Sequence, residues 1–310
     1  MKTVIVIVGP TAVGKSRLSV EIAKRFNGEV ISGDSMQVYR GMDIGTAKIS
    51  SQEMQGIPHY MVDIRDPNQP FSAADFQSYV QYYIKDISSR GSIPVIAGGS
   101  GLYIQAALFD YHFSDQERDV QVTERMEKQM EEEGSMPLYK RLQEIDPAQA
   151  KKIHPNNRRR VVRALEIYET TGMTMTEWQK EQQLTSPYRL LFIGLEMSRE
   201  LLYRRINERV DIMLEKGLLD EVRGLYEKGL EGCGSMQAIG YKEFIPYFKG
   251  EQSLERSVEL LKRNSRRYAK RQYTWFKNKL DIPWYEVTPD SINERFATIF
   301  NDLAGILEET

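Results

Sequence analysis

The chain has 310 residues, of which 41% are hydrophobic and 28% charged, with a formal net charge of -2; this excludes disordered, collagenous and low-complexity classes. Near-neutrality also excludes a uniformly basic nucleic-acid coat and leaves only local basic patches. Cys233 is the single cysteine, so neither an intrachain disulfide framework nor a cysteine-based zinc site is available, as in a protein of a reducing compartment.

The opening MKTVIVIVGP is far shorter than a signal h-region and ends in Gly-Pro without a cleavage pattern. No apolar run nears the roughly 18 residues of a membrane span, so we expect a soluble, cytoplasmic protein. TVIVIVG is a β-branched run suited to a strand buried on both faces of a parallel sheet, and a helix opens at Lys15. EVISG (29–33) and IPVIAGG (93–99) read as further strands, and 71–90 as a helix with a Ser72/Asp75 capping pair. Between 114 and 186 strand character vanishes: an acidic helix over 115–133 precedes helices broken at Gly134, Pro147, Pro155 and Gly172. It returns at RLLFIGLEM (189–197), followed by helices over about 199–216 and 253–278, a last strand in IPWYEV (282–287), and a final helix with Pro289 at its first position. The pattern predicts an α/β fold: a parallel P-loop-type core over 1–113 and 187–310, interrupted by an all-helical insertion over 114–186.

GPTAVGKS (9–16) matches G-x-x-x-x-G-K-[ST] between a buried strand and a helix. The backbone from Gly9 through Pro10, Thr11, Ala12, Val13 and Gly14 would cradle a phosphate group, Lys15 adds charge, and Ser16 can ligate Mg²⁺. NKLD (278–281) and DLAG (302–305) look like GTPase motifs but stand in reversed order. IPVIAGG ends in glycines where a hydrolase usually has a magnesium-holding Asp, which favours a transferase. Asp34 follows the second strand, beside the loop; it is either a general base or a strand-end residue that caps a turn or binds magnesium through water.

Taken in order, GPTAVGKS, DSMQVYRGMDIGTAK (34–48), GGSGLY (98–103), HPNNRRRVVRALEIYETTG (154–172) and AIGYKEF (238–244) resemble the bacterial tRNA dimethylallyltransferases over residues 4 to about 280. The resemblance implies transfer of a dimethylallyl group from dimethylallyl diphosphate to N6 of the adenosine at position 37, 3′ of the anticodon. It implies Asp34 as base, Lys15, Ser16 and Mg²⁺ on the leaving diphosphate, and Arg209 as a further diphosphate ligand, with Arg204 and Arg205 read as surface residues. Asp34, Ser35, Met36 and Gln37 would meet the base, Ser100 stands where the family more commonly has Thr, and Gly98 and Gly99 allow close backbone approach. The insertion would grip the anticodon stem-loop through Arg159, Arg160, Val161, Val162 and Arg163, and Gly240, Tyr241 and Lys242 would add further tRNA contacts.

Two basic runs support RNA binding: six Lys or Arg without an acid over 151–163, and eight over 262–279. In the second, Lys262, Arg266 and Lys270 recur at helical spacing as one basic face, either an RNA surface or a solvated one. Tyr268, Tyr273, Trp275 and Phe276 read as core, and His59, His112 and His154 form no metal site. We expect a monomer without a membrane partner. The competing readings are an adenylate dimethylallyltransferase, which lacks the need for an insert and basic runs, and a P-loop small-molecule kinase using Asp34 on a hydroxyl.

Overall fold

The computed structural model describes residues 1–109, 111, 119–181 and 185–308. They form two compact units: 1–108 with 186–310, and 109–185. The expected edge of the insertion at 113/114, the first residues of its acidic helix and His112 lie outside the described residues.

The first unit is built on six strands: β1 (Lys2–Val8), β2 (Gly28–Ser32), β3 (His59–Tyr60), β4 (Ile93–Gly98), β5 (Tyr188–Glu196) and β6 (Trp284–Glu286). All pairings are parallel, in the order β3-β2-β4-β1-β5-β6. Val4 to Val8 have no exposed surface, which is why β1 reads as an unbroken β-branched run rather than an alternating one. The register sets Val8 against Gly98 and Ser32 against Ala97. The loops leaving the carboxyl ends of β1, β2 and β4 therefore emerge together, where open α/β sheets place their ligands.

Helices Lys15–Arg25 and Ala73–Ser89 follow β1 and precede β4. The second opens with the expected reciprocal Ser72/Asp75 capping box. Helix Arg199–Glu215 packs on the long helix Leu254–Lys279. The last helix starts at Ile292 rather than Pro289, because Thr288 and Ser291 exchange N–H to hydroxyl hydrogen bonds of 3.2 Å that hold the chain in a turn first. β3 escapes a sequence reading because a two-residue edge strand has no hydrophobic period.

The second unit contains helices Val120–Glu133, Met136–Ile145, Pro147–Ala150, Arg158–Thr171 and Met175–Glu181. Met126, Met130, Leu138, Leu142 and Leu165 form its core. Asp146 caps Pro147–Ala150 through the Gln149 N–H and also accepts from the Thr176 hydroxyl at 2.6 Å, tying two helices together. Val161 and Val162 belong to this core, 0% and 1% exposed. That corrects their expected role as RNA contacts: they occupy the inward stripe of an amphipathic helix whose outward face carries Arg159 and Arg160. Arg163 is half-buried and pairs with Glu166 at 2.9 Å. Among the described residues no helix is long and apolar enough to cross a membrane.

Candidate active site

The loop after β1 turns through two left-handed residues, Ala12 (φ 67) and Gly14 (φ 112). Alternation of this kind aims consecutive N–H groups into one concavity, a nest for an anion. Val13 is fully buried and anchors the loop from below. Lys15 folds back over it, donating to Gly9 O at 3.0 Å and Pro10 O at 2.8 Å. Burial, reinforced by the positive charge of Arg209 and opposed by Asp34, pushes the Lys15 ammonium down to about 7.

Helix Arg199–Glu215 supplies two arginines to this loop. Arg209 donates to Thr11 Oγ1 at 3.3 Å, and Arg205 Nε donates to Ala12 O at 3.1 Å. Arg205 is therefore not the surface residue expected from sequence: its position one turn before Arg209 puts both on the loop-facing side. Arg204 points outward and pairs with Glu200 at 3.5 Å. Burial lowers the Arg209 pKa from its ordinary value, against the pull of Asp34 and Glu53.

Asp34 lies just past the end of β2, its Oδ1 accepting the Met36 N–H at 2.8 Å. Burial pushes its carboxyl up; the Met36 N–H, Lys15 and Arg209 oppose that rise. A carboxylate held in this way is a better proton acceptor than one in water. Asp34 lines both a cavity of about 1250 Å³ over the phosphate loop and a second of about 310 Å³ toward Met36, Tyr268 and Leu261. Thr11 and Arg209 line both as well.

The DIGTAK segment walls both cavities, and its first three residues are held by Glu221. Its carboxylate accepts the N–H groups of Asp43 (2.9 Å), Ile44 (2.8 Å) and Gly45 (3.0 Å) and the Tyr241 hydroxyl (2.6 Å). Gly45 must lack a side chain here, since a Cβ would stand 2.5 Å from the Tyr241 ring. Thr46 O and Ala47 O in turn accept from Gln37 Nε2, whose Oε1 accepts from the Ser32 hydroxyl at 2.8 Å. The Gln37 amide is thus committed to the wall.

Several expected contacts fall elsewhere. Gly240 and Tyr241 are buried, Tyr241 completely, and act on Glu221 and Gly45 from inside; only Lys242 of that trio is exposed. Lys262 pairs with Asp211 at 2.5 Å and Arg266 donates to Asn207 at 2.6 Å, so both face helix Arg199–Glu215 rather than forming one solvent face with Lys270. Arg267, Lys270 and Arg271 remain exposed. The close approaches at Gly98 and Gly99 are made by Gly33 and Gln272 of the protein itself. Sequence reasoning missed Gln272, which is 5% exposed and accepts the Thr11 N–H at 2.8 Å. It also missed Tyr268, read as core but lining the smaller cavity. One of three amides in a basic helix, Gln272 offered no signal that sets it apart from Asn264 and Asn278.

Ser16 is exposed at the start of its helix and lines the larger cavity. Mg²⁺ keeps most of its waters and takes one or two protein oxygens plus phosphate oxygens, so a single hydroxyl beside an anion nest fits it. No group of three or more His, Cys, Asp or Glu that could hold a metal occurs among the described residues.

A parallel sheet, a glycine-lysine-serine loop opening a helix, and a half-buried carboxylate across the loop define a P-loop-type α/β protein. The IPP transferase family model matches residues 37–279, and the chain belongs to that family. It is 59% identical to the tRNA dimethylallyltransferase of Oceanobacillus iheyensis over 99% of this chain and 98% of that one. Among solved structures, the tRNA isopentenylpyrophosphate transferase of Bacillus halodurans superposes with a TM-score of 0.75 at 49% identity, covering 100% of this chain and 98% of its own. A eukaryotic dimethylallyltransferase acting on tRNA does so with a TM-score of 0.83 at 37% identity, covering 98% and 80%.

Proposed function

We propose that this protein transfers the dimethylallyl group of dimethylallyl diphosphate to N6 of the adenosine at position 37 of tRNA, beside the anticodon. The observation that carries the reading is Asp34, the one carboxylate lining both the cavity over the phosphate loop and the cavity beyond it. A donor diphosphate in the loop and an adenine in the smaller cavity would meet at its oxygens.

In the transfer the allylic carbon loses its bond to the diphosphate oxygen and gains one to N6, and Asp34 takes the N6 proton. The leaving group keeps the bonding electrons and remains in the nest. Lys15 and Arg209 are placed to receive its growing charge, and Arg205 steadies the loop through Ala12. Fixed positive groups of this kind act mainly in the transition state, where the C–O bond is breaking. Bound at Ser16, Mg²⁺ supplies further charge neutralisation for the diphosphate.

On the RNA side, Arg159 and Arg160 of the helical unit, and Arg267, Lys270 and Arg271 of the first, are exposed cations suited to phosphate contacts. An anticodon loop suits the acceptor role because an unpaired adenosine is cheap to splay out. The protein acts as a monomer in the cytoplasm.

The test is incubation of the purified protein with Mg²⁺, labelled dimethylallyl diphosphate and either unmodified tRNA or free AMP. Label in tRNA with equimolar diphosphate release is expected. Label in AMP alone would make the protein an adenylate prenyltransferase instead.

A further inference from the structure

The segment that walls both cavities is pinned from a second side, by its own last residue. Lys48 Nζ donates to Tyr39 O at 2.7 Å, to Asp43 Oδ1 at 2.5 Å and to Asp63 Oδ1 at 2.6 Å. Three acceptors are the full complement of an ammonium, and the Lys48 side chain is only 6% exposed although both carboxylates are exposed. Its partners lie in three places: after the Asp34 turn, at the start of the wall, and after β3. The first and last of these are themselves paired, the Asp63 N–H donating to Gln37 O at 3.2 Å and the Ile64 N–H to Val38 O at 2.8 Å. Gln37 in turn donates to Thr46 O and Ala47 O. A closed ring therefore runs from Gln37 to the wall, through Lys48 to Asp63, and back to Gln37, three residues past Asp34. Within it Ala47 (φ 49) and Asp63 (φ 55) hold left-handed backbone, which a residue with a side chain keeps only where its surroundings dictate it. Thr46 and Ala47 line both cavities, and Lys48 and Asp63 the larger.

We infer that Lys48 is a positioning residue for the proposed transfer: its ammonium locks the 43–48 wall to the Asp34 turn, so that one side chain keeps both cavities aligned on the carboxylate. A lysine on the wall of a diphosphate cavity could instead be a ligand of the diphosphate, and the geometry speaks against that role. Lys15 donates to two carbonyls and its third N–H has no partner among the described residues, as a phosphate ligand requires. Lys48 has no N–H left to offer, and its charge is already set against two carboxylates. Without Lys48 the start of the wall stays attached to Glu221. Thr46 and Ala47, which both cavities share, then keep the Gln37 bonds of 3.3 and 3.4 Å as their tie to the Asp34 turn.

The inference rests on the proposed prenyl transfer for the identity of the two substrates. The experiment measures the single-turnover rate at saturating dimethylallyl diphosphate and anticodon stem-loop RNA, well below the unfolding midpoint, in wild type, Lys48→Met, Asp63→Ala and the double variant. Calorimetric binding of inorganic diphosphate and amide hydrogen exchange over 34–38 accompany it. Lys48→Met is expected to slow transfer about ten- to a hundredfold, the effect of a small misplacement of reacting groups, while its affinity for inorganic diphosphate is retained. Asp63→Ala should also slow transfer, by about fivefold, the worth of one hydrogen bond. The double variant should be no slower than Lys48→Met, as for residues of one network. A counter-charge to the diphosphate would behave oppositely: Lys48→Met would weaken diphosphate binding, and Asp63→Ala, which removes a negative charge, would strengthen it and quicken transfer. That pattern, effects that multiply in the double variant, or a Lys48→Met protein that turns over like wild type whatever its stability, overturns the inference. Should Lys48→Met fail to fold, the sign of the Asp63→Ala effect decides: slower transfer supports the lock, equal or faster transfer overturns it. Should wild type transfer nothing, the proposed function falls, and hydrogen exchange then decides the lock alone: faster exchange over 34–38 in Lys48→Met supports it, unchanged exchange overturns it.

Discussion

Glu221→Ala removes the acceptor of four donors at once. The Asp43 N–H belongs to an exposed residue and the Ile44 N–H to a half-buried one, so water replaces most of what they lose. The Tyr241 hydroxyl, on a fully buried residue, is stranded, and the N–H of half-buried Gly45, which packs on the Tyr241 ring, is partly so. Leaving a buried donor unsatisfied costs about 1–3 kcal/mol; with the Gly45 N–H partly reached by water, the two together cost about 2–5 kcal/mol, roughly 5–15 °C in the transition of the α/β unit. Tyr241→Phe, which leaves the carboxylate its three N–H partners, should cost only about 1 kcal/mol. Thermal and urea unfolding followed by circular dichroism measure both, and limited proteolysis should show new cleavage near 43–47 in Glu221→Ala. A Glu221→Ala protein within about 0.5 kcal/mol of wild type, or a Tyr241→Phe protein equally damaged, would refute the clamp.

Asp34→Asn should cost about 10² to 10⁴ in turnover while tRNA affinity is retained; gel shift and single-turnover assays separate the two, and near-wild-type turnover would remove Asp34 as base. Because the Lys15 pKa is lowered to about 7, the free protein loses that charge as pH rises through 7, and inorganic diphosphate affinity should fall there more steeply in wild type than in Lys15→Arg. The same lowering means the unfolded chain binds more protons above pH 7, so Lys15 adds stability as pH rises from about 7 toward its ordinary value and withdraws it as pH falls; Lys15→Met should flatten that part of a stability–pH curve. Arg267→Ala with Lys270→Ala should lower the salt slope of tRNA binding by about one to two, whereas Lys262→Ala, which breaks a pair with Asp211, should act mainly on stability.

What was legible in the sequence follows locality. β1 could be read because Val4 to Val8 are buried on both faces, and Asp34 because the carboxyl end of a strand next to a phosphate loop is a known place for chemistry. The Ser72 cap was legible for the same reason: its partner is three residues away. What escaped depends on contacts between distant segments. Thr11 and Gln272 are 261 positions apart, and Gly45 and Glu221 176. The basic helix misled because spacing counts charges without seeing the neighbour: Lys262 and Arg266 answer Asp211 and Asn207 on a helix some 50 residues earlier. Tyr241 misled in the opposite sense, since a Gly-Tyr-Lys segment gives no local hint that its ring is the inner wall of a clamp.

The central claim is most directly tested by mass spectrometry of two unmodified anticodon stem-loops, identical except for adenosine or guanosine immediately 3′ of the anticodon, after incubation with the protein, Mg²⁺ and dimethylallyl diphosphate, with an ATP-only control. The account predicts a five-carbon gain on the adenosine loop, mapped to that nucleotide, and none on the guanosine loop. No gain on either, with a phosphoryl group passed from ATP to a small-molecule acceptor, would contradict it.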